Sequence, residues 1–134
     1  MVRSRPMLLI VWHSRTGAAR AMAEGAFAGA QAEGQARMLR AEDAGPEDLL
    51  AASGYLFACP ENLASMTGSM KEFFDRCYYP VLGRIEGRAY ATAIAAGSDG
   101  TGAERQIDRI ATGWRLRRVA GSLILNTAAQ TPEA

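Results

Sequence analysis

The fold is decided by residues 7–20, which read MLLIVWHSRTGAAR. Met7 to Trp12 form a short apolar run of the kind that makes a buried strand. A polar turn, residues 13–17, follows this run, and an alanine-rich helical pattern begins directly after it. A strand, a tight turn and a helix N-terminus together present backbone N–H groups and the positive end of a helix dipole, which suit a phosphate. An ordinary helix N-cap would have the same sequence features, so this stretch alone leaves both interpretations open.

The size and composition of the chain indicate an ordinary globular protein. It has 134 residues, of which 49% are hydrophobic and 22% charged, and we expect a single domain over residues 1–134 with a flexible tail at 126–134. The net charge of +1 does not favour a nucleic-acid partner. No apolar run is long enough for a signal peptide or a membrane span. Cys59 and Cys77 make neither a disulfide framework nor a metal site, and they indicate reduced thiols in the cytoplasm.

Strand-like and helix-like segments alternate along the rest of the chain. The clearest helix pattern runs from Met66 to Cys77, with apolar residues on one face and charged residues on the other, and Tyr78-Tyr79-Pro80 is expected to end it. The other predicted segments are helices at 17–33 and 46–52, a helix whose buried stripe runs from Ile107 to Trp114, and strands at 36–41, 54–59, 88–96 and 119–125. This alternation predicts an α/β fold with a mostly parallel sheet covered by helices on both faces, a three-layer αβα arrangement.

Three polar loops are expected to meet at one edge of this sheet. Residues 13–17, 60–66 and 97–102 each follow the carboxyl end of an apolar strand and lead into a helix. In doubly wound sheets, ligands bind outside the carboxyl ends of the strands, where the strand order reverses. Each loop contains Gly, Ser, Thr or Asn, which can contact a planar polar ligand through the backbone or a short side chain. These loops are the predicted binding site.

Two of these stretches resemble a known family. SRTGAAR, after the first strand, resembles the phosphate loop of flavodoxins. PENLASMTGSMKEFFDR resembles the second loop and the following helix of flavodoxin-like NAD(P)H-dependent FMN and quinone reductases. The similarity runs from Met7 to Leu125. It implies a flavodoxin-like, doubly wound, five-stranded sheet of order 2-1-3-4-5, with FMN as the cofactor and NAD(P)H as the electron donor.

The resemblance also implies which residues contact FMN. Its phosphate would lie in the loop from Ser14 to Ala19, and its ring system between Pro60–Met66 and Gly97–Gly102. The expected contacts are Ser14, Arg15, Thr16, Gly17, Ala18, Ala19, Pro60, Glu61, Asn62, Leu63, Ala64, Ser65, Met66, Gly97, Ser98, Asp99 and Gly102. Main-chain N–H groups of residues 97–102 would face the N1/O2 edge of the ring. No catalytic side chain and no metal ligand is expected, and Glu61 and Asp99 could equally contact the ligand or cap helices.

Two features depart from the family pattern. Flavodoxins usually follow the Thr-Gly pair of the phosphate loop with Asn and Thr, whereas Ala18 and Ala19 stand there in this chain. The lost side-chain donors predict FMN binding that is weaker by about a hundredfold or more, unless Arg15 or Arg20 compensates. The family fold also ends in a helix after the last strand, and this helix is expected to be missing here. One face of the sheet would then be under-covered, so we expect a homodimer or a larger homo-oligomer.

Charge and loop composition separate the functions that the fold allows. Carrier flavodoxins resemble one another in being strongly acidic and in placing aromatic side chains beside the flavin. This chain is near neutral, and residues 60–66 and 97–102 contain no Trp, Tyr or Phe. An open ring would leave room for a nicotinamide or a quinone to stack, so we expect an oxidoreductase that passes electrons from NAD(P)H through FMN to a quinone or a similar small-molecule acceptor. A flavodoxin-type electron-transfer protein and a flavin-free binding module are the alternatives.

Overall fold

The structure is a computed structural model that describes residues 6–127. Helices and strands alternate along the chain, as the apolar periodicity predicts. The strands are β1 (Met7–Trp12), β2 (Gln35–Arg40), β3 (Gly54–Asn62), β4 (Ser65–Met66), β5 (Ala89–Ala96), β6 (Arg117–Arg118) and β7 (Leu123–Asn126). The helices are α1 (Ala18–Glu33), α2 (Pro46–Ala51), α3 (Gly68–Val81) and α4 (Thr101–Gly113).

The sheet has the predicted doubly wound topology. Its strands lie in the order β2-β1-β3-β5-β6, and β7 pairs with β5 beside β6. All these pairs are parallel, and only the short β4 runs antiparallel, against β3. When β6 and β7 are taken together as the last strand, this is the order 2-1-3-4-5 that the family resemblance implies. The flavodoxin-like α/β fold is confirmed.

Alternate residues of β1 enter two different cores. Leu9 and Val11 belong to a large cluster that also contains Phe57, Phe73 and Trp114. The intervening residues of the strand belong to a smaller cluster packed against α1, whose buried members are Ile10, Trp12, Ala23, Ala58 and Ala93. Successive side chains of a strand point to opposite faces, so the two clusters cover the two faces of one sheet.

Helix α3 continues past the point where the sequence predicts its end. Pro80 lies inside the helix, which ends at Val81, so the prediction that Tyr78-Tyr79-Pro80 stops it is wrong. Pro80 is in the last turn, where the missing N–H removes only one of the final hydrogen bonds. Cys77 and Val81 are both fully buried in the large core. Their burial outweighs the local preference of the residue before proline for extended backbone.

Two of the strands also differ from their predicted bounds. Strand β3 continues through Pro60 to Asn62. The pairing of β1 with β3 ends at Ala58, so Pro60 has a neighbouring strand only on the β5 side. A proline, which has no N–H to donate, is tolerated at such an edge position. In place of the predicted strand at 119–125 there are two short strands, β6, which ends at Arg118, and β7, which begins at Leu123. The register moves from Ala89↔Arg117 to Ala93↔Leu123, so the edge strand carries extra residues that leave the ladder as a bulge.

The predicted tail at 126–134 begins too early. Asn126 is the last residue of β7, and the N–H of Thr127 donates to the carbonyl of Ala96 at 2.7 Å. Thr127 is also buried, at 5% exposure. The rest of that tail, from residue 128 onward, lies outside the described residues.

Both cysteines are buried free thiols. Burial raises the pKa of the Cys77 thiol to about 11, which makes it a poor nucleophile at neutral pH. Within residues 6–127, no helix is long and apolar enough to cross a membrane. The same residues contain no group of three or more His, Cys, Asp and Glu side chains that could hold a metal ion.

The edge strand carries the apolar surface on which a homodimer would depend. Leu123 and Leu125 of β7 are 62% and 47% exposed. We expect light scattering at micromolar concentration to give the mass of a dimer or larger oligomer, and Leu123→Lys to shift it to a monomer, because a buried interface would exclude the charge. Tyr79→Lys is the control, because Tyr79 is also exposed but lies on α3, away from β7. This change should leave the mass of the oligomer unchanged. A monomeric wild-type chain would contradict the prediction.

Candidate functional site

The structure brings the three predicted loops together at the carboxyl edge of the sheet. Strands β1, β3 and β5 are parallel neighbours, so the segments that follow them leave the sheet on the same side. The N–H of His13 donates to the carbonyl of Ala58 at 3.0 Å, which ties the start of the first loop to β3. Glu61 lies opposite Ala96 in the register, which places the second segment beside the third loop.

The first loop leads into α1 through a left-handed glycine. Gly17 is the N-cap of α1, with φ of 115°, and a Cβ there would meet nothing within 4 Å. The Oγ of Ser14 accepts the N–H of Gly17 at 3.0 Å and so shapes the turn. Gly17 supplies no side-chain cap, and the first turn of α1 contains no acidic residue. The positive end of the α1 dipole is therefore not neutralised by a carboxylate from its first turn, which suits an anionic ligand.

The second segment is a tight hairpin, not the open loop that the sequence predicts. Strand β3 runs on to Asn62, and β4 returns against it with Glu61 opposite Met66. Leu63 and Ala64 form the turn, with φ of 51° and 66°. A left-handed backbone at a non-glycine residue is uncommon and costs free energy, so other contacts must hold this turn. Leu63 stands at its tip and is 97% exposed.

A buried carboxylate holds the hairpin against α4. Glu61 is 3% exposed. Its Oε2 accepts the N–H of Gly102 at 2.8 Å and that of Ala103 at 3.1 Å, and its Oε1 accepts the hydroxyl of Ser98 at 3.2 Å. These two N–H groups belong to the first turn of α4, where a carboxylate also interacts favourably with the helix dipole. Glu61 therefore caps α4 from another part of the chain.

The side chain of Gln106 adds a second tie between the hairpin and α4. Its Oε1 accepts the N–H of Met66 at 2.8 Å and the hydroxyl of Ser65 at 3.2 Å. We call the hydrogen bonds of Glu61 and Gln106 to their partners the hairpin clamp. The clamp supplies the contacts that hold the strained turn.

The hairpin lies so close to α4 that no side chain fits at position 102. A Cβ there would lie 2.1 Å from the carbonyl oxygen of Ala64 and 3.0 Å from the Oε2 of Glu61. Just before it, Asp99 accepts the N–H of Thr101 at 3.1 Å and its hydroxyl at 2.9 Å. Those hydrogen bonds lower the pKa of Asp99, the one from the N–H being the larger cause.

In the structure, Glu61 caps α4 and Asp99 accepts the N–H of Thr101 at the start of that helix, which is one of the two alternatives that the sequence gave for each. Contact of either residue with a ligand stays a prediction. The structure also corrects one expectation for the third loop. The N–H of Gly102 donates to Glu61 instead of standing open toward a flavin ring. Of the remaining predicted contacts, Ala19, Pro60 and Met66 have buried side chains and could reach a ligand only through the backbone. The others are partly or fully exposed around the same edge, and they are Ser14, Arg15, Thr16, Gly17, Ala18, Asn62, Leu63, Ala64, Ser65, Gly97 and Ser98.

Two residues of the site were missed from the sequence. Gln106 belongs to the hairpin clamp, and Asn126 donates from its Nδ2 to the carbonyl of Ser98 at 3.1 Å. Gln106 follows Gly102 by one helical turn, a spacing that could have pointed to it once the hairpin was known. Nothing in the local sequence marks Asn126, because its partner lies in a distant loop.

Known proteins match this chain in sequence. The model of the family "NADPH-dependent FMN reductase" matches residues 43–129, which include the hairpin and the third loop. The chain belongs to this family. A flavodoxin of Aquifex aeolicus (strain VF5) is 32% identical over 99 residues, which are 72% of this chain and 54% of the relative. The chain thus spans about half the length of the curated relative that it matches.

Several solved structures have a fold similar to that of this chain. The reduced flavodoxin of Megasphaera elsdenii superimposes with a TM-score of 0.78 at 23% identity, covering 95% of this chain and 92% of that one. An NADH:FMN oxidoreductase in its apo form gives 0.70 at 20% identity, covering 93% and 77%. An archaeal flavodoxin gives 0.80 at 18% identity, covering 90% and 82%. These similarities establish the flavodoxin-like fold.

Gly102→Ala tests the contact between the hairpin and α4. The new methyl group would clash with the backbone of Ala64, so we expect the free energy of unfolding to fall by about 1–3 kcal/mol. Gly25→Ala, at an exposed position of α1 with nothing within 4 Å of the added Cβ, should instead stabilise by about 0.5–1 kcal/mol. Urea unfolding of both variants measures the difference. Equal stability of the two variants would show that the hairpin does not pack on α4 as described.

Proposed function

We propose that this member of the FMN reductase family binds FMN at the carboxyl edge of the sheet and transfers electrons from NAD(P)H to a quinone or a similar small acceptor. The observation that carries the proposal is the convergence of an α1 N-terminus without an acidic first turn, a clamped hairpin and the third loop at this edge. FMN, when bound, supplies the redox chemistry by accepting two electrons as a hydride and giving them up again.

The described residues fit the phosphate of FMN. Gly17 lets the backbone come close, because no atom lies within 4 Å of its absent Cβ. The dipole of α1 favours an anion at that point. Arg15 and Thr16 are exposed in the same loop and add a charge and a hydroxyl donor. These features support a phosphate site that depends on the backbone and on one arginine, in place of the side chains that Ala18 and Ala19 lack.

The ring system would lie between the hairpin and residues 97–102. The hairpin and residues 97–102 hold fixed positions at this edge, because Glu61 bonds to Ser98 and to the first turn of α4, and Gln106 bonds to the hairpin. Neither segment contains an aromatic residue, so the exposed turn at Leu63 leaves space for a second planar molecule. That space, together with the net charge of +1, favours a reductase over a carrier that docks to a basic protein partner. The buried free thiols agree with a reducing compartment, and we place the protein in the cytoplasm.

An FMN titration followed by a turnover assay tests the function. We expect added FMN to lose fluorescence on binding, and the loaded protein to oxidise NADH or NADPH in the presence of a panel of quinones. FMN binding without NAD(P)H oxidation would favour an electron-transfer protein. Absence of FMN binding at millimolar protein would support a flavin-free binding module and overturn the proposal.

Arg15→Gln tests the phosphate site. We expect the Kd for FMN to rise by about tenfold, since a charge-assisted hydrogen bond contributes about 1.5–3 kcal/mol and part of it passes to the backbone. The affinity for riboflavin, which has no phosphate, should be unchanged. Arg109→Gln removes the same charge from an exposed position of α4, beyond the helix N-terminus, and is the matched control. An equal loss of FMN and riboflavin affinity would contradict the placement of the phosphate.

A further inference from the structure

The two helices that begin at the candidate site differ in the acidic side chains near their N-termini. Helix α1 begins at Gly17 with no side-chain cap from that residue and no acidic residue in its first turn. Helix α4 begins with two N–H groups bonded to the carboxylate of Glu61. At α4, a buried acidic side chain from another segment takes the place that an anionic ligand would occupy.

The partners of Glu61 are hydrogen-bond donors. Two backbone N–H groups and the hydroxyl of Ser98 point at its two oxygens, at 2.8–3.2 Å. The two oxygens of a carboxylate have enough acceptor sites for all three donors. With 3% exposure, the charge is screened little by solvent.

We propose that Glu61 is a positioning residue of the ring site, which fixes the hairpin on α4 and places a buried carboxylate beside the bound ring. The inference rests on the proposed function, because the ring would lie against the two segments that Glu61 joins. The carboxylate also takes N–H groups that would otherwise stabilise negative charge on the ring. The site therefore holds FMN in a fixed geometry and disfavours its reduced state, which makes the bound cofactor a stronger reductant.

Glu61→Gln separates the charge from the hydrogen bonds. The amide oxygen of glutamine can still accept the N–H groups of Gly102 and Ala103, and its amide nitrogen can donate to the Oγ of Ser98, but the charge is gone. We expect the affinity for reduced FMN to rise relative to that for oxidised FMN by about tenfold, which for a two-electron couple raises the reduction potential by about 30 mV. Glu104→Gln, at the acidic residue that belongs to the first turn of α4 itself, is the matched control.

Glu61→Ala tests the positioning role in the protein without FMN. Loss of the carboxylate leaves the first turn of α4 without its acceptor and releases the hairpin, so amide hydrogen exchange at residues 63–66 and 102–103 should speed up by about tenfold or more. Amides of β1 and β2 should exchange at the wild-type rate, which would show that the variant is folded. Glu61→Gln should restore most of the protection, because its side chain keeps the acceptor.

The two experiments, on Glu61→Gln and on Glu61→Ala, test different parts of the proposal. A reduction potential in Glu61→Gln that moves no more than in Glu104→Gln overturns the role of the charge. Unchanged hydrogen exchange in Glu61→Ala overturns the positioning role. If the wild-type protein binds no FMN, the proposed function fails, and hydrogen exchange alone then decides whether Glu61 holds the hairpin.

Discussion

The parallel pairing of β1, β3 and β5 is the constraint on which the rest of the structure depends. Parallel neighbours must be joined by crossovers, so their carboxyl ends, and the segments that follow them, lie at one edge. The large core on one face and the α1 core on the other keep these strands in register. The loop before α1, the hairpin and the third loop come together because each of them follows the carboxyl end of one of these three neighbouring strands.

At that edge, the N-termini of α1 and α4 differ in the acidic side chains near them. Glu61 reaches from β3 to satisfy the first turn of α4. The first turn of α1 carries no acidic residue, and its entry is shaped by the hydroxyl of Ser14. The dipole of α1 therefore favours an anion at its N-terminus, whereas the carboxylate of Glu61 already lies at the N-terminus of α4.

The hairpin shows how local strain is supported by distant contacts. Leu63 and Ala64 adopt left-handed backbone conformations that neither residue prefers. Glu61 and Gln106 hold the two sides of this turn on α4, and Gly102 allows the backbone of Ala64 to come close. The hairpin is therefore held as one unit with α4.

The sequence by itself determined the order of the elements, the parallel α/β architecture and the edge at which the loops meet. Apolar periodicity and turn residues act within a few positions, and they suffice for those conclusions. The resemblance of the SRTGAAR and PENLASMTGSMKEFFDR stretches supplied the strand order and the family. Only the tertiary structure decided that β3 continues through Pro60, that α3 includes Pro80 and that the edge strand is split. It also decided that Glu61 caps a helix 41 residues away. In each case burial or a partner far along the chain outweighed the local preference, and neither can be read from neighbouring residues.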